Sequence, residues 1–277
     1  MRLHPIHEYL LDPPHKVTVA LIGCGGTGSQ VLSLLARMNL AMVNLGHPGF
    51  HVTVFDDDMI SEANIGRQLF SASEIGSYKA ISLVTRFNRF YGTNWQAKPR
   101  KFGFGPSDTA KGIKIEQFNI YITCIDDYES RLTLSFLFKE KVYGSHSTKK
   151  LYWLDFGNTN NTGQAILGTL YEENEFEFDD EEDRDQESAL KAGAKEKFIK
   201  KLPCFDQWAS QFNPPKPSEN TPSCSLAEAL EKQDLLINSS LANSGMQLLW
   251  RLFREGKTPY HGVIINLETL TSNPIHV

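Results

Sequence analysis

The strongest hydrophobic pattern in the chain is an apolar run that leads into a cluster of glycines. Residues 17–22 (VTVALI) are apolar and rich in β-branched side chains, which is typical of a strand buried on both faces of a sheet. Behind the glycines, apolar residues recur at the spacing of one helix face: Val31, Leu32, Leu34, Leu35 and Met38. The pattern predicts a strand, a tight turn and a helix, preceded by a lead-in over residues 1–16 without a predicted element.

The same alternation of strand and helix patterns continues to about residue 170. We predict further strands over residues 51–55, 95–98, 119–125, 151–156 and 164–170, and helices over residues 73–91 and 128–141. A long helix is predicted over residues 226–254, and residues 262–267 and 274–277 resemble a terminal β-hairpin or edge pair. The predicted fold class is therefore α/β, a mostly parallel sheet flanked by helices with a C-terminal antiparallel extension.

Two polar stretches interrupt this alternation. Residues 172–189 are strongly acidic and hold almost no core-forming side chains, which is typical of a solvated loop; a docking site for a basic partner is the alternative. Residues 203–224 contain five prolines and are predicted to be loop. We interpret residues 1–277 as one domain with a core (15–170), an insertion or crossover loop (171–224), and a C-terminal helix with terminal strands (225–277).

Composition narrows the class of protein. The chain has 277 residues, a formal net charge of −5 and a pI near 5.9, which makes nucleic acid an unlikely general partner because such binders carry a basic face. No apolar run approaches the roughly 18–20 residues that span a bilayer, and the N-terminus lacks the apolar core of a signal peptide. We therefore expect a cytoplasmic protein with no membrane partner.

The four cysteines do not form a metal-binding pattern. None of them belongs to a C-x-x-C pair, so neither a disulfide framework nor a structural zinc site is expected. Cys24 lies in the glycine turn and Cys124 in an apolar predicted strand, and both are interpreted as small buried side chains. Cys204 and Cys224 lie in the proline-rich stretch, and their roles stay open at this point.

The glycine cluster has the spacing of a dinucleotide-binding turn. The glycines are Gly23, Gly25, Gly26 and Gly28. Glycines at these positions let backbone N–H groups approach a phosphate, and the start of the following helix adds partial positive charge. The pattern predicts a Rossmann-like nucleotide site near the N-terminus. Taken alone, this fingerprint favours NAD or FAD as the ligand.

Charged and amide side chains follow the later strands and change that picture. In chain order they are Asp56, Asp58, Asn64, Arg67, Gln68, Lys79 and Asp126. An acidic residue after the second strand is expected on ribose hydroxyls, but an enzyme that transfers hydride does not need an Arg and a Lys on the phosphate side. Cationic side chains neutralise a polyphosphate, and an aspartate facing a triphosphate is a natural Mg²⁺ ligand. This set favours ATP.

Each of these residues also has an ordinary interpretation. Asn64 could cap a helix, and Arg67 and Lys79 could be surface charges. Asp57 is interpreted as a solvated turn residue rather than a ligand.

In its order and spacing the set resembles the ThiF/MoeB superfamily of enzymes that adenylate ubiquitin-like or sulfur-carrier proteins. The resemblance implies that ATP is bound and that the C-terminal glycine carboxylate of a small carrier attacks the α-phosphate, releasing pyrophosphate. It implies that Gly23 to Gly28 hold phosphates, that Asp56 binds ribose, that Asn64, Arg67 and Lys79 hold the triphosphate, and that Asp126 holds Mg²⁺. Arg131 either assists or is a surface or helix-pairing arginine. A homodimer is also implied.

One cysteine has a counterpart in the resemblance. Cys224, in Thr221-Pro222-Ser223-Cys224-Ser225, resembles a family position that in some members forms a thioester or acyl-disulfide with the carrier. The alternative is a structural or incidental loop cysteine, and Cys204 is the lesser candidate for a reactive thiol. A thiol at a helix N-terminus would be more acidic and more nucleophilic than usual.

The chain also departs from the family pattern. The two zinc-binding C-x-x-C pairs of many members are absent, and the N-terminal segment that sends an arginine into a neighbouring subunit's site is not recognisable, Arg2 being the only early arginine. Within the superfamily, the chain resembles the ThiF-related proteins of PRTRC cassettes.

Three other functions are weighed against adenylation of a carrier protein. They are an NAD- or FAD-dependent oxidoreductase, a non-catalytic ATP-binding interaction module, and a tRNA-modifying adenylating enzyme. The Arg67 and Lys79 pair speaks against the first, and the absence of an evident basic face speaks against the last.

Overall fold

A computed structural model of the chain describes residues 1–103, 117–139, 151–171, 196–212 and 226–277. Within these residues the strands are β1 (Arg2–Pro5), β2 (Val17–Ile22), β3 (Phe50–Phe55), β4 (Gln96–Lys98), β5 (Ile120–Thr123), β6 (Tyr152–Asn158), β7 (Thr162–Thr169), β8 (Lys197–Phe198), β9 (Lys257–Thr258), β10 (Tyr260–Asn266) and β11 (Thr271–His276). The α-helices are α1 (Gly26–Asn44), α2 (Lys79–Tyr91), α3 (Tyr128–Lys139), α4 (Phe205–Phe212), α5 (Leu226–Lys232) and α6 (Ile237–Glu255). Cys224 and the acidic stretch 172–189 lie outside the described residues.

The main sheet has eight strands in the order β11-β10-β7-β6-β5-β2-β3-β4. Strands β6, β5, β2, β3 and β4 run parallel, and β7, β10 and β11 extend the sheet in antiparallel pairings. The predicted α/β class and its antiparallel C-terminal extension are therefore confirmed. From β2 the chain first builds β3 and β4 on one side and then β5 and β6 on the other. The carboxyl ends of β2 and β5 thus form a topological switch point, where open α/β sheets bind ligands.

Both faces of the sheet are covered, as the alternation of strands and helices predicts. Because side chains alternate along a strand, Val19 and Leu21 join a core with α1, α2 and α6, whereas Ala20 and Ile22 join a second core with α3 and α4. The second core is largely aromatic. Helix α6 comes so close to the sheet that a Cβ on Gly245 would lie 2.3 Å from Cε1 of Phe156. In the described residues, no helix combines the length and apolar character that spanning a membrane requires.

Three sequence predictions about elements are wrong in detail. Residues 1–16 are not an unstructured lead-in, because β1 pairs with β8 and β9 in a separate three-stranded sheet. The predicted helix over residues 73–91 begins only at Lys79, since Gly76 adopts a left-handed φ of +84°. Residues 203–224 are not loop throughout, because α4 lies within them.

The long C-terminal helix predicted over residues 226–254 is also divided. Helix α5 ends at Lys232 and α6 begins at Ile237. Between them, the Asp234 side chain accepts a hydrogen bond from the Leu236 N–H (2.8 Å), and the Asp234 N–H donates to the Asn160 carbonyl (2.9 Å). An aspartate that bonds the backbone two residues ahead favours a turn over a continuous helix. The turn bonds to the β6–β7 connection, which fixes its place at one end of the sheet.

Buried histidines join the small sheet to the main sheet. His4 Nδ1 donates to the Ile199 carbonyl (2.8 Å), so its Nε2 accepts from the hydroxyl of Tyr152 in β6 (2.9 Å). Burial lowers the pKa of His4 to about 4 and that of His261 in β10 to about 4. Both rings are therefore neutral in the folded protein at pH 7.

We expect the free energy of unfolding to fall as the pH is lowered from 6.5 towards 5. In the unfolded chain these histidines gain a proton near pH 6.5, whereas the folded protein resists protonation down to about pH 4. Each contributes up to about 1.4 kcal/mol per pH unit in this window. Urea unfolding at pH 7, 6 and 5 measures the slope. His4→Gln should reduce it and the exposed His276→Gln should leave it unchanged; equal slopes in all three proteins would contradict the assignment.

Candidate functional site

The glycine turn lies at the switch point and is folded tightly on itself. Gly23 has a left-handed φ of +85°, and its N–H donates to the carbonyl of Phe55 at the end of β3 (2.9 Å). A Cβ on Gly23 would lie 2.7 Å from the carbonyl oxygen of Cys124, which follows β5. A Cβ on Gly28 would lie only 2.0 Å from the carbonyl oxygen of Gly23. The turn thus brings the ends of β2, β3 and β5 together around a backbone that has no room for side chains at these two positions.

Helix α1 begins inside this turn and presents its N-terminus at the crevice. Gly25 is the N-cap residue, and no side chain caps the helix in the part of the chain that the structure describes. The first N–H groups of a helix need acceptors and carry partial positive charge. Gln68 lies against Gly25, is only 8% exposed, and its Oε1 has no hydrogen-bond partner among the described residues. A buried polar atom without a partner marks a place where a water, an ion or a polar ligand can bind.

Asp56, directly after β3, fixes the turn from the other side. Its Oδ2 accepts from the Cys24 N–H (2.7 Å), and its Oδ1 accepts from the Asp58 N–H (3.0 Å). Burial raises the pKa of Asp56, and these hydrogen bonds and the Lys79 charge oppose that shift. Each carboxylate oxygen can accept more than one hydrogen bond, so contact with a ribose hydroxyl is compatible with this arrangement.

Lys79 lies where the sequence places it, at the start of α2 and beside the acidic loop after β3. Its side chain is 8% exposed, and its Nζ donates to Asp58 Oδ2 (2.7 Å), whose side chain is 65% exposed. The Lys79 N–H also donates to the Asp58 carbonyl (3.0 Å). Asp58 therefore holds the ammonium group at the edge of the site, and Asp57 is exposed as expected.

Arg67 and Asp126 approach the crevice from two different connections. Asp126 follows β5 and is exposed, and Arg67 lies between β3 and α2. Arg67 NH1 donates to Oε1 of Gln233, while its buried Nε has no partner among the described residues. Burial lowers the pKa of Arg67, and the negative charge of Asp126 counteracts this shift. A guanidinium and a carboxylate therefore act on each other beside the glycine turn.

Asn64 caps a short helix, which was the ordinary alternative to a role in phosphate binding. Its Oδ1 accepts from the N–H (2.9 Å) and the hydroxyl (3.2 Å) of Ser61, closing a short 3₁₀-helix over Glu62–Asn64. The carboxamide oxygen is thereby used inside the loop. A phosphate contact by Asn64 would have to come from its Nδ2.

Arg131 is buried and paired inside the protein, so the interpretation of it as a surface arginine is wrong. It is 3% exposed and forms a two-pronged ion pair with the fully buried Asp155, through Nε to Oδ1 (3.2 Å) and through NH2 to Oδ2. Its guanidinium lies 3.8 Å from the ring centre of Phe205. Thr123 donates to Asp155 Oδ1 (2.5 Å) and accepts from Trp153 Nε1 (2.8 Å). Arg131 is thus part of a structural network that joins α3 to β5 and β6.

The two buried cysteines outside the strands are not activated thiols. Cys24 is fully buried, and burial raises its pKa. Cys204 donates its Sγ–H to the Thr169 carbonyl (3.3 Å), and burial raises its pKa to about 12. Because the thiolate is the nucleophile, Cys204 is no longer a candidate for covalent chemistry.

Sequence reasoning missed the polar contacts that the C-terminal third makes with the turn. Thr27, in the first turn of α1, donates to Oδ1 of Asn238 (2.9 Å), and Asn238 Nδ2 donates to Oε1 of Gln233 (2.9 Å). A Cβ on Gly26 would lie 2.6 Å from the Asn238 side chain. One signal was present, because Asn238 is a polar residue on the apolar face that Ile237, Leu241 and Ala242 define.

Comparison with known proteins identifies the family. The model of the ThiF family matches residues 1–273. The chain belongs to the ThiF family. Ubiquitin-like modifier-activating enzyme 5 of Drosophila ananassae is 22% identical over 179 residues, which are 61% of this chain and 39% of that protein. ATP-dependent ubiquitin transferase-like protein Cap2 of Escherichia coli (strain TW11681) is 38% identical over 68 residues, which are 24% of this chain and 11% of that protein.

Solved structures share the fold at low sequence identity. The crystal structure of E. coli MccB with ATP matches with a TM-score of 0.53 at 13% identity, covering 98% of this chain and 65% of MccB. PaaA matches with a TM-score of 0.51 at 12% identity, covering 94% of this chain and 64% of PaaA. This ThiF-family chain spans less than two thirds of the length of each of these four relatives.

We expect Gly28→Ala to destabilise the fold far more than Gly25→Ala does, and to abolish nucleotide binding. The added Cβ at Gly28 would overlap the Gly23 carbonyl, whereas at Gly25 it would lie 3.8 Å from its nearest neighbour, the Gln68 amide. Overpacking costs about 1–3 kcal/mol, and more where, as here, the neighbour is backbone that cannot move aside. Thermal unfolding and ATP titration measure both effects. Equal tolerance of both substitutions would contradict the tight turn.

Proposed function

We propose that the protein binds ATP in this crevice and adenylates the C-terminal glycine of a small ubiquitin-like or sulfur-carrier protein. One observation carries the proposal: hydrogen bonds through Gln233 and Asn238 link the partly buried guanidinium of Arg67 to the first turn of α1. At the start of the same helix, Gln68 lies against Gly25 and its Oε1 has no partner among the described residues. Helix N-termini and arginine side chains both bind phosphate. Family membership supports the same function, and so does the fold shared with MccB, which has been solved with ATP.

Binding of the nucleotide is divided among the elements around the switch point. The N–H groups of Gly25, Gly26 and the first turn of α1 hold phosphate oxygens, and Gln68 contacts the same group. Asp56 holds the ribose, and Arg67 and Lys79 neutralise the remaining phosphate charge. Lys79 reaches the phosphates by giving up its ion pair with Asp58. That ion pair contributes little to stability, because the Asp58 side chain faces solvent.

Asp126 fits a magnesium site of the kind that nucleotides complete. The described residues contain no group of three or more side chains suited to holding a metal ion. Magnesium binds through one or two carboxylates together with substrate phosphates, so a single exposed carboxylate at the end of β5 suffices. Bound there, Mg²⁺ would neutralise negative charge on the triphosphate.

The reaction that these groups promote is an in-line displacement at the α-phosphorus. A glycine carboxylate oxygen of the carrier forms the new bond to phosphorus, and the bond to the pyrophosphate oxygen breaks with its electron pair leaving on pyrophosphate. Arg67 and Lys79 stabilise the charge that develops on the leaving group, the effect that dominates phosphoryl-type transfers. The products are an acyl-adenylate and pyrophosphate.

The carrier, the quaternary structure and any later covalent step belong to the same proposal. MccB has been solved with MccA, and the match to an enzyme named for activating a ubiquitin-like modifier favours a protein or peptide substrate with a free C-terminus. We propose residues 1–277 as one adenylation domain, acting as a homodimer. Cys224 is the position at which a thioester with the carrier would form.

We expect Arg67→Ala and Asp126→Ala each to lower carrier-dependent ATP–pyrophosphate exchange by at least about 100-fold, since each removes charge stabilisation at the reacting group. The melting temperature should stay close to that of the unaltered protein, because Asp126 is exposed and Arg67 is only partly buried and has no ion pair among the described residues. Arg89→Ala, an exposed arginine on α2, is the control and should retain exchange.

Three results would contradict the proposal. Full exchange in both variants would overturn the site. ATP binding by the unaltered protein without exchange, when carriers ending in glycine are supplied, would favour a non-catalytic binding module. Co-purified NAD or flavin, detected by mass spectrometry, would favour an oxidoreductase.

A further inference from the structure

Arg67 is held by an amide, unlike Arg131, the buried arginine of this region. Arg131 pairs with the carboxylate of Asp155, which neutralises its charge. Arg67 NH1 instead donates to Oε1 of Gln233, and in the described part of the chain no carboxylate forms an ion pair with Arg67. A neutral acceptor fixes the position of a guanidinium and leaves its positive charge available. This difference separates a structural arginine from one that is held ready for an anion.

The oxygen that accepts from Arg67 is itself fixed from the other side. Asn238 Nδ2 donates to the same Gln233 Oε1 (2.9 Å), so both acceptor sites of that oxygen are used. Asn238 Oδ1 in turn accepts from Thr27 Oγ1 (2.9 Å) and from Asn158 Nδ2 (3.4 Å). A continuous chain of hydrogen bonds thus runs from the first turn of α1 through Asn238 and Gln233 to Arg67.

Gln233 is also held in place by its backbone surroundings. It lies in the break between α5 and α6, next to Asp234, whose N–H donates to the Asn160 carbonyl (2.9 Å). The turn that follows is closed by the Asp234 side chain on the Leu236 N–H (2.8 Å). The break between α5 and α6 therefore places the Gln233 side chain within hydrogen-bonding distance of Arg67.

We propose that Gln233 is a positioning residue that, held by Asn238, sets the Arg67 guanidinium towards the nucleotide's phosphates. The proposal rests on the proposed ATP site and adds a function for the α5–α6 break within it. The helix N-terminus of α1 and the guanidinium are linked through Thr27, Asn238 and Gln233. Both phosphate-binding groups are consequently held in one geometry before the nucleotide arrives, and this preorganisation reduces the entropy that binding must overcome.

The test is a double-mutant cycle read out by direct binding of ATP in the presence of Mg²⁺. Gln233→Met removes the acceptor at nearly constant volume, and we expect it to weaken ATP binding about tenfold, the loss expected for one charge-assisted hydrogen bond. In the Arg67→Ala background the same change should alter ATP binding less than about twofold. Gln247→Met, an exposed position on α6, is the matched control and should have no effect.

Each outcome decides the proposal. A loss that persists undiminished in the Arg67→Ala background would show that Gln233 acts on the fold in general and would overturn it, as would unchanged binding in Gln233→Met. Tighter binding would show that Gln233 withholds Arg67 from the phosphates and would also overturn it. Because binding is measured directly, wild-type ATP binding without pyrophosphate exchange defeats the proposed reaction alone, whereas no ATP binding at all defeats both.

Discussion

The whole site depends on a close approach of backbone at the point where the sheet changes direction. The turn after β2 can pass beneath the Cys124 carbonyl only because Gly23 and Gly28 have no side chains. The Gly23 N–H also donates a hydrogen bond to the Phe55 carbonyl at the end of β3. The ends of three strands are thus joined through one short loop, and the direction of α1 follows from it. Because the helix begins inside the loop, its unsatisfied N–H groups point into the crevice.

The C-terminal third completes this arrangement from a distance of some two hundred residues along the chain. Helix α6 packs its apolar face on α1 and on the sheet, with Gly245 allowing contact with Phe156. That packing places Asn238 directly against Gly26 and within hydrogen-bonding distance of Thr27. The hydrophobic contact between two helices therefore determines where a polar group meets the glycine turn. The packing of α6 thus also sets the position of Asn238 at the start of α1.

Patterns of local residues predicted most of the fold, because β2, β3, β5 and β6 are apolar runs that bury both faces. The predicted site residues follow the carboxyl ends of these strands, which share one edge of the sheet. Strand β1 could not be predicted, because its four residues, RLHP, have little strand character and are held by pairing with β8 and β9. The break between α5 and α6 depends on a long-range contact to Asn160, which no local pattern contains.

The two arginines show what the sequence can identify and what requires the structure. Residue type and order place both near the site, whereas only their contacts show that their roles differ. Both Arg67 and Arg131 follow strands at the same edge of the sheet; Arg67 was a candidate for the phosphate site, and Arg131 either assisted there or was an ordinary arginine. A buried charge is costly unless it is neutralised, and Arg131 meets this requirement within the protein through Asp155. Arg67 is only half buried, is held by an amide, and forms no ion pair with a carboxylate among the described residues, although the negative charge of Asp126 acts on it. Its electrostatic requirement is therefore best met by an anion from outside, which is the property that a phosphate-binding arginine needs.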